Sequence, residues 1–130
     1  MKIDTTSGVG TLVLRASDRA PQKGRSFVSE MFLEEGLGDS FIAQTVITEL
    51  ITNACKHTDS ETVVARVVPD DEAALTIEVW DSSDEAPVMG PDEDFESESG
   101  RGLLLMSFLV DDWGTRPLSG GGKIVWARLG

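Results

Sequence analysis

The segment from Ile42 to Ala54 constrains this chain more than any other. Its apolar residues Ile42, Ala43, Val46, Ile47, Leu50, Ile51 and Ala54 recur with the 3.6-residue period of a helix. That stripe is wide enough to lie against a sheet, so the pattern predicts a layered domain. Asp39 or Ser40 is placed to cap the helix. Along its edge Glu49, Asn53 and His57 stand at intervals of four, and residues four apart share a helix face. The plain explanation is the polar edge of an amphipathic helix. The functional one is a carboxylate that can act as a base beside an amide oxygen that can ligate Mg²⁺.

The neighbouring segments supply what such a helix would cover. Thr11 to Arg15 reads as a short strand, and Pro21 suits the first turn of a helix. That helix carries Phe27, Val28, Met31 and Phe32 on one face and is stopped by Gly36 and Gly38. Glu61 to Val68 and Ala74 to Trp80, rich in Val, Ile and Thr, form a hairpin across Pro69-Asp70-Asp71. Leu103 to Val110 reads as a third helix. Asp112 to Leu118 and Lys123 to Leu129 read as strands joined by Ser119 to Gly122. The expected order is β-α-α-β-β-loop-α-β-β. The expected fold is an α+β two-layer sandwich, with a mostly antiparallel mixed sheet and about three helices on one face.

Charge and length narrow the function. Eleven Lys/Arg against 23 Asp/Glu leave a net charge of −12. Asp81, Asp84, Glu85, Asp92, Glu93, Asp94, Glu96 and Glu98 occur in one stretch without a Lys or Arg. Such a field repels a phosphate backbone, which argues against direct DNA or RNA binding. The stretch reads either as a solvated loop or as a lid or docking surface. The 130 residues suit one domain spanning 1–130. Cys55 is the single cysteine, which forbids an internal disulfide and fits a reducing cytoplasm. The thiol itself reads as a small buried hydrophobe. No secretory signal or membrane span is expected.

Two further pieces carry chemistry. Asp81 ends an apolar strand abruptly, where it can start a turn or accept a hydrogen bond from a purine amine. Gly100-Arg101-Gly102 precedes a helical run, where glycines let backbone approach a ligand and free N–H groups face a phosphate. Turn chemistry explains that tripeptide equally well. One His and one Cys give no ligand-spaced cluster for zinc.

In this order and spacing the pieces resemble the GHKL (histidine kinase-like) superfamily of ATPases and kinases. Glu49-Leu-Ile-Thr-Asn53-Ala resembles its N box, Asp81 the start of its first glycine box, and Gly100-Arg-Gly102-Leu its second. The lone domain is similar to bacterial anti-sigma-factor serine/threonine kinases, and the likeness runs from about Thr11 to Leu129. It implies Glu49 as the general base, Asn53 as the Mg²⁺ ligand, and Asp81 as the partner of the adenine amine. Gly100, Arg101 and Gly102 would hold phosphate, and 82–99 would be the ATP lid. It also implies ATP and Mg²⁺ as cofactors, with phosphotransfer to an anti-sigma-factor antagonist, sequestration of a sigma factor, and a homodimer formed through the first strand and helix. The alternative is a non-catalytic or weakly nucleotide-binding interaction module on the same fold. Three departures favour weak nucleotide binding. Ser83 and Glu85 stand where the family has glycines, Lys123 follows Gly122 where it often has Thr, and the lid is acidic.

Overall fold

The computed structural model describes residues 2–4, 10–56, 61–69, 74–82 and 106–129. Its strands are β1 (Lys2–Asp4), β2 (Gly10–Arg15), β3 (Thr62–Pro69), β4 (Leu75–Asp81), β5 (Asp112–Pro117) and β6 (Lys123–Leu129). Two helices, α1 (Ala20–Glu35) and α2 (Phe41–Lys56), lie between β2 and β3. The strands form one sheet in the order β1-β2-β3-β4-β6-β5. Every pairing among the described strands is antiparallel, so no mixed pairing accompanies the antiparallel ones expected from sequence.

Both expected hairpins form. Val67 faces Ile77 across β3 and β4, and Trp113 faces Ala127 across β5 and β6. The return of the chain through α1 and α2 lets β3 run antiparallel to β2, with Leu12 opposite Ala65. Strand alternation then sorts the side chains by face. Leu12, Leu14, Val63, Ala65, Val67, Ile77, Val79, Val125 and Ala127 point to the helices and are buried.

The helices obey their periodicity. Phe27, Val28, Met31 and Phe32 of α1 are buried, Pro21 lies in its first turn, and the Leu37 N–H returns to the Phe32 carbonyl at its end. α1 crosses α2 closely at Gly24, where a Cβ would stand 2.4 Å from the Ile51 Cδ1. In α2 the residues Ala43, Val46, Ile47, Leu50, Ile51 and Ala54 are buried as expected. Ile42 departs from that stripe: it is 43% exposed, because the first turn of α2 leaves Phe41 and Ile42 beyond the covered face. Both candidate capping residues take part at this end. Asp39 Oδ1 accepts the Phe41 N–H at 2.7 Å, and Ser40 Oγ accepts a bond from Gln44 Nε2 at 2.8 Å.

Two elements differ from the sequence expectation. β1 was not foreseen. Of the third helix expected over Leu103 to Val110, the described part begins at Met106, and only Met106 and Ser107 are helical before a turn. Met106 is nonetheless fully buried in the core. The outer sheet face is polar at its centre. Glu78 on β4 accepts bonds from Arg66 Nη1 at 3.3 Å, Trp80 Nε1 at 3.3 Å and Arg116 Nη2 at 2.6 Å. The Arg66 guanidinium lies 5.6 Å from the Trp80 ring centroid, a cation–π distance.

Candidate functional site

α2 positions the first two candidate residues. Its apolar stripe is fixed against the sheet, so the column beside that stripe is fixed too. Glu49 is half-buried and lines a groove of about 240 Å³ with Arg25, Phe41, Gln44, Thr45 and Thr48. Arg25 Nη1 donates to Thr48 Oγ1 at 3.3 Å across that groove, tying α1 to α2. Burial pushes the Glu49 carboxyl above its ordinary value, and the Lys56 ammonium partly offsets this. A carboxyl raised in this way is a better proton acceptor than an exposed one once ionised.

One turn further on, Asn53 is 2% exposed, and its Oδ1 has no hydrogen-bond partner among the described residues. A buried, unmatched amide oxygen costs about 1–3 kcal/mol, so its retention calls for a missing partner. A hard cation that seeks oxygen ligands is such a partner, and the donor type fits Mg²⁺. Among the described residues no cluster of three His, Cys, Asp or Glu could hold a metal by itself.

Asp81 is the last residue of β4, and it faces the helices beneath the C-terminal end of α2. Its position there is felt at Cys55. Burial pushes the Cys55 thiol up, a backbone hydrogen bond from Ser17 lowers it, and the Asp18 and Asp81 carboxylates raise it further. Cys55 is half-buried against the core edge, less enclosed than the sequence suggested, and lines a cavity of about 320 Å³ with Ser17, Asp18, Pro21 and Thr52.

Asp81 already has a charged partner. Lys123, directly opposite on β6, donates from Nζ to Asp81 Oδ1 at 3.2 Å. Their side chains are 5% and 0% exposed, Lys123 and Asp81 respectively. The turn before Lys123 is equally tight. Gly122 has φ +89°, and a Cβ there would stand 2.5 Å from the Asp81 carbonyl oxygen, so only glycine fits. This ion pair was missed from sequence, where Lys123 registered only as a replacement. Strand alternation alone could not have supplied it: the pair needs the β4–β6 pairing, in which each step along β4 is a step back along β6 and the two residues stand opposite on one face.

The structure thus brings Asn53 and Asp81 into the layer between α2 and the sheet, with Glu49 one turn away beside an open groove. Gly100, Arg101, Gly102 and His57 lie outside the described residues, as does the candidate lid apart from Ser82, which is an exposed bend.

The result is a two-layer α+β domain with a half-buried carboxylate on α2 and, one turn on, an amide oxygen that has no hydrogen-bond partner among the described residues. The family model for the histidine kinase-like ATPase domain matches residues 14–129, and the chain belongs to that family. Among solved structures it is similar to the RsbU and RsbW domains of Rv1364c from Mycobacterium tuberculosis, with a TM-score of 0.64 and 16% identity. That likeness covers 92% of this chain, and this chain spans 32% of that one. At this identity the likeness is one of fold. A comparison with curated proteins returned no match. Among the described residues no helix is long and apolar enough to cross a membrane.

Proposed function

We propose that this domain binds ATP with Mg²⁺ and acts as an anti-sigma-factor-type serine/threonine kinase, phosphorylating an anti-sigma-factor antagonist and sequestering a sigma factor. The observation that carries the reading is the buried Asn53 Oδ1 without a described partner, one helical turn from a half-buried carboxylate, in a chain of the histidine kinase-like ATPase family. An RsbW domain in a structure of the same fold supports the choice of regulatory partners.

In this reading Asn53 holds the cation, and Asp81 faces the base. Gly100, Arg101 and Gly102 receive the phosphates, and 82–99 covers them. Bound Mg²⁺ would supply neutralisation of the charge that develops on the phosphoryl oxygens. Glu49 takes the proton from the attacking serine hydroxyl, which it can do only when ionised. Transfer therefore falls as the pH drops through the raised Glu49 value. The excess of negative charge favours a basic partner surface and a salt-dependent encounter rate. Dimerisation through β2, the first strand expected from sequence, and α1 belongs to the same proposal.

Incubation with labelled ATP and a candidate antagonist tests it. Phosphate should appear on a serine of the antagonist and fall by about a hundredfold or more in Glu49→Ala, as for loss of a general base. Transfer that survives Glu49→Ala removes Glu49 from the chemistry. A second reading, an interaction module with weak nucleotide binding, is favoured by the Asp81–Lys123 ion pair. It predicts partner binding without transfer.

A further inference from the structure

We propose that the furrow between the outer faces of α1 and α2 docks a basic segment of the protein substrate, seating a bulky apolar side chain against Phe41 about four residues from the serine presented to Glu49. The inference rests on the kinase reading of Glu49 and names what that carboxylate would act on.

Spacing carries the first part. Phe41 and Glu49 line one open groove of about 240 Å³ together with Arg25, Gln44, Thr45 and Thr48. They stand eight residues apart on α2, which is just over two turns and about 12 Å along the axis. An extended segment advances about 3.3 Å per residue, so about four residues cover that interval. The groove does not stop at Arg25 and Gln44. Both also line a furrow of about 450 Å³ with Gln22, Ser26, Ser29 and Glu30, so a length of chain has a path across the helix pair. The Arg25–Thr48 bond ties the two helices together along it.

Exposure and charge say what belongs there. Phe41 is 70% exposed, and Ile42 beside it and Leu33 and Leu37 at the end of α1 are exposed as well. The other large apolar side chains exposed among the described residues are Val13, Phe108 and Leu109, so four of the seven fall within residues 33–42. Concentration of this kind marks a contact surface, whereas single exposed residues mark nothing. Residues 33–49 also carry Glu34, Glu35, Asp39 and Glu49 without a Lys or Arg, and the first three are exposed. Arg25 is the one cation among the described residues lining the furrow, and its Nη1 already donates to Thr48. An apolar contact rimmed by carboxylates is complementary to a segment in which Lys or Arg flank a bulky apolar residue, and it repels an acidic segment. Once the segment is docked, the serine oxygen bonds the γ-phosphorus, ADP leaves with the bridging oxygen, and the proton passes to Glu49. Phe41 takes no part in that exchange; it positions the substrate.

A labelled peptide, Lys-Lys-Leu-Gly-Ala-Ala-Ser-Ala-Lys-Lys, tests the proposal on the full chain. Fluorescence anisotropy reads binding, and transfer from labelled ATP with Mg²⁺ reads chemistry. The wild-type protein should bind it about tenfold tighter than the version with Ala in place of Leu, and more weakly as salt is raised. A version with Glu in place of every Lys should not bind. Phe41→Ala, a change at an exposed position, should weaken binding about tenfold and erase the preference for leucine, because both changes remove the same contact. It should raise KM rather than lower kcat. Glu49→Ala should abolish transfer yet keep the leucine preference.

Equal binding of the leucine and alanine peptides by wild type overturns the proposal, and so does a folded Phe41→Ala that retains the preference. If Phe41→Ala does not fold, Thr45→Arg replaces it: a cation midway between Phe41 and Glu49 should weaken the basic peptide about tenfold, and unchanged binding overturns the docking surface. Binding that depends on Phe41 without any transfer by wild type counts against the kinase reading and leaves the docking surface standing. Absence of binding by wild type overturns the docking surface and leaves the kinase reading to its own test with a candidate antagonist.

Discussion

At Asn53 the fold accepts a local cost: the amide oxygen is buried and has no hydrogen-bond partner among the described residues. Replacing it should therefore cost the ligand-free protein little while removing the cation contact. Asn53→Ala is expected to remain folded, with a Tm within a few degrees of wild type, and to lose the rise in Tm that Mg²⁺ with ATP gives the wild-type protein. Thermal melts with and without ligand check this, and an equal ligand-induced rise in both proteins contradicts it. Glu49 makes a different prediction. Its folded-state carboxyl is raised above 4.5 by burial, so ionisation is harder in the folded than in the unfolded chain. Stability contributed by the protonated form is present below the unfolded value and is lost as pH rises through the folded value. Glu49→Gln should accordingly raise Tm at pH 7 and leave it almost unchanged at pH 4. A melting series across that range reads the sign directly, and a lower Tm at pH 7 counts against the burial argument. The groove around Glu49 is open to water, so the rise should be small.

Among the elements, the outer face of the sheet has the clearest energetic signature. Arg116 on the edge strand β5 reaches across β6 to Glu78 on β4, and Arg66 reaches the same carboxylate from β3. One acid thus ties together strands on both sides of it. Glu78→Ala should destabilise the protein by about 1–3 kcal/mol in urea unfolding, since it leaves two guanidinium groups and an indole N–H without this acceptor. A change below about 0.5 kcal/mol would show the cluster to be a solvated surface contact. This face was illegible in the sequence. Arg66, Glu78 and Arg116 are far apart along the chain, and only the pairing of four strands brings them together. α2 and both hairpins were legible because their patterns are local: a 3.6 period over Ala43 to Ala54, and runs of Val and Ile interrupted by turn residues. Strand β1, at three residues, is too short to show a period. The identities of Glu49, Asn53 and Asp81 were also legible as candidates. The burial of Asn53 and the ion pair at Asp81 were not, because both depend on which strand lies next to which.

At the scale of the whole molecule, sequence order and spatial order disagree at one place. β6 is the last of the described strands in sequence, yet it lies between β4 and β5 rather than at a border. It pairs with β4 from Leu75–Leu129 to Asp81–Lys123 and with β5 from Asp112–Arg128 to Pro117–Lys123. A chain cut after Pro117 should therefore fail to fold cooperatively, instead of losing one peripheral strand, and circular dichroism with a urea titration would report a broad, noncooperative transition. Removing residues 2–4, by contrast, touches only the outermost strand and should leave a cooperative transition. During synthesis on the ribosome the same arrangement has a temporal meaning. Until the final strand emerges from the exit tunnel, β4 presents an unsatisfied ladder of backbone donors and acceptors, a template for another chain. The nascent domain is thus most vulnerable to misassembly after β4 has emerged and before β6 has, and a holding chaperone would matter most in that interval.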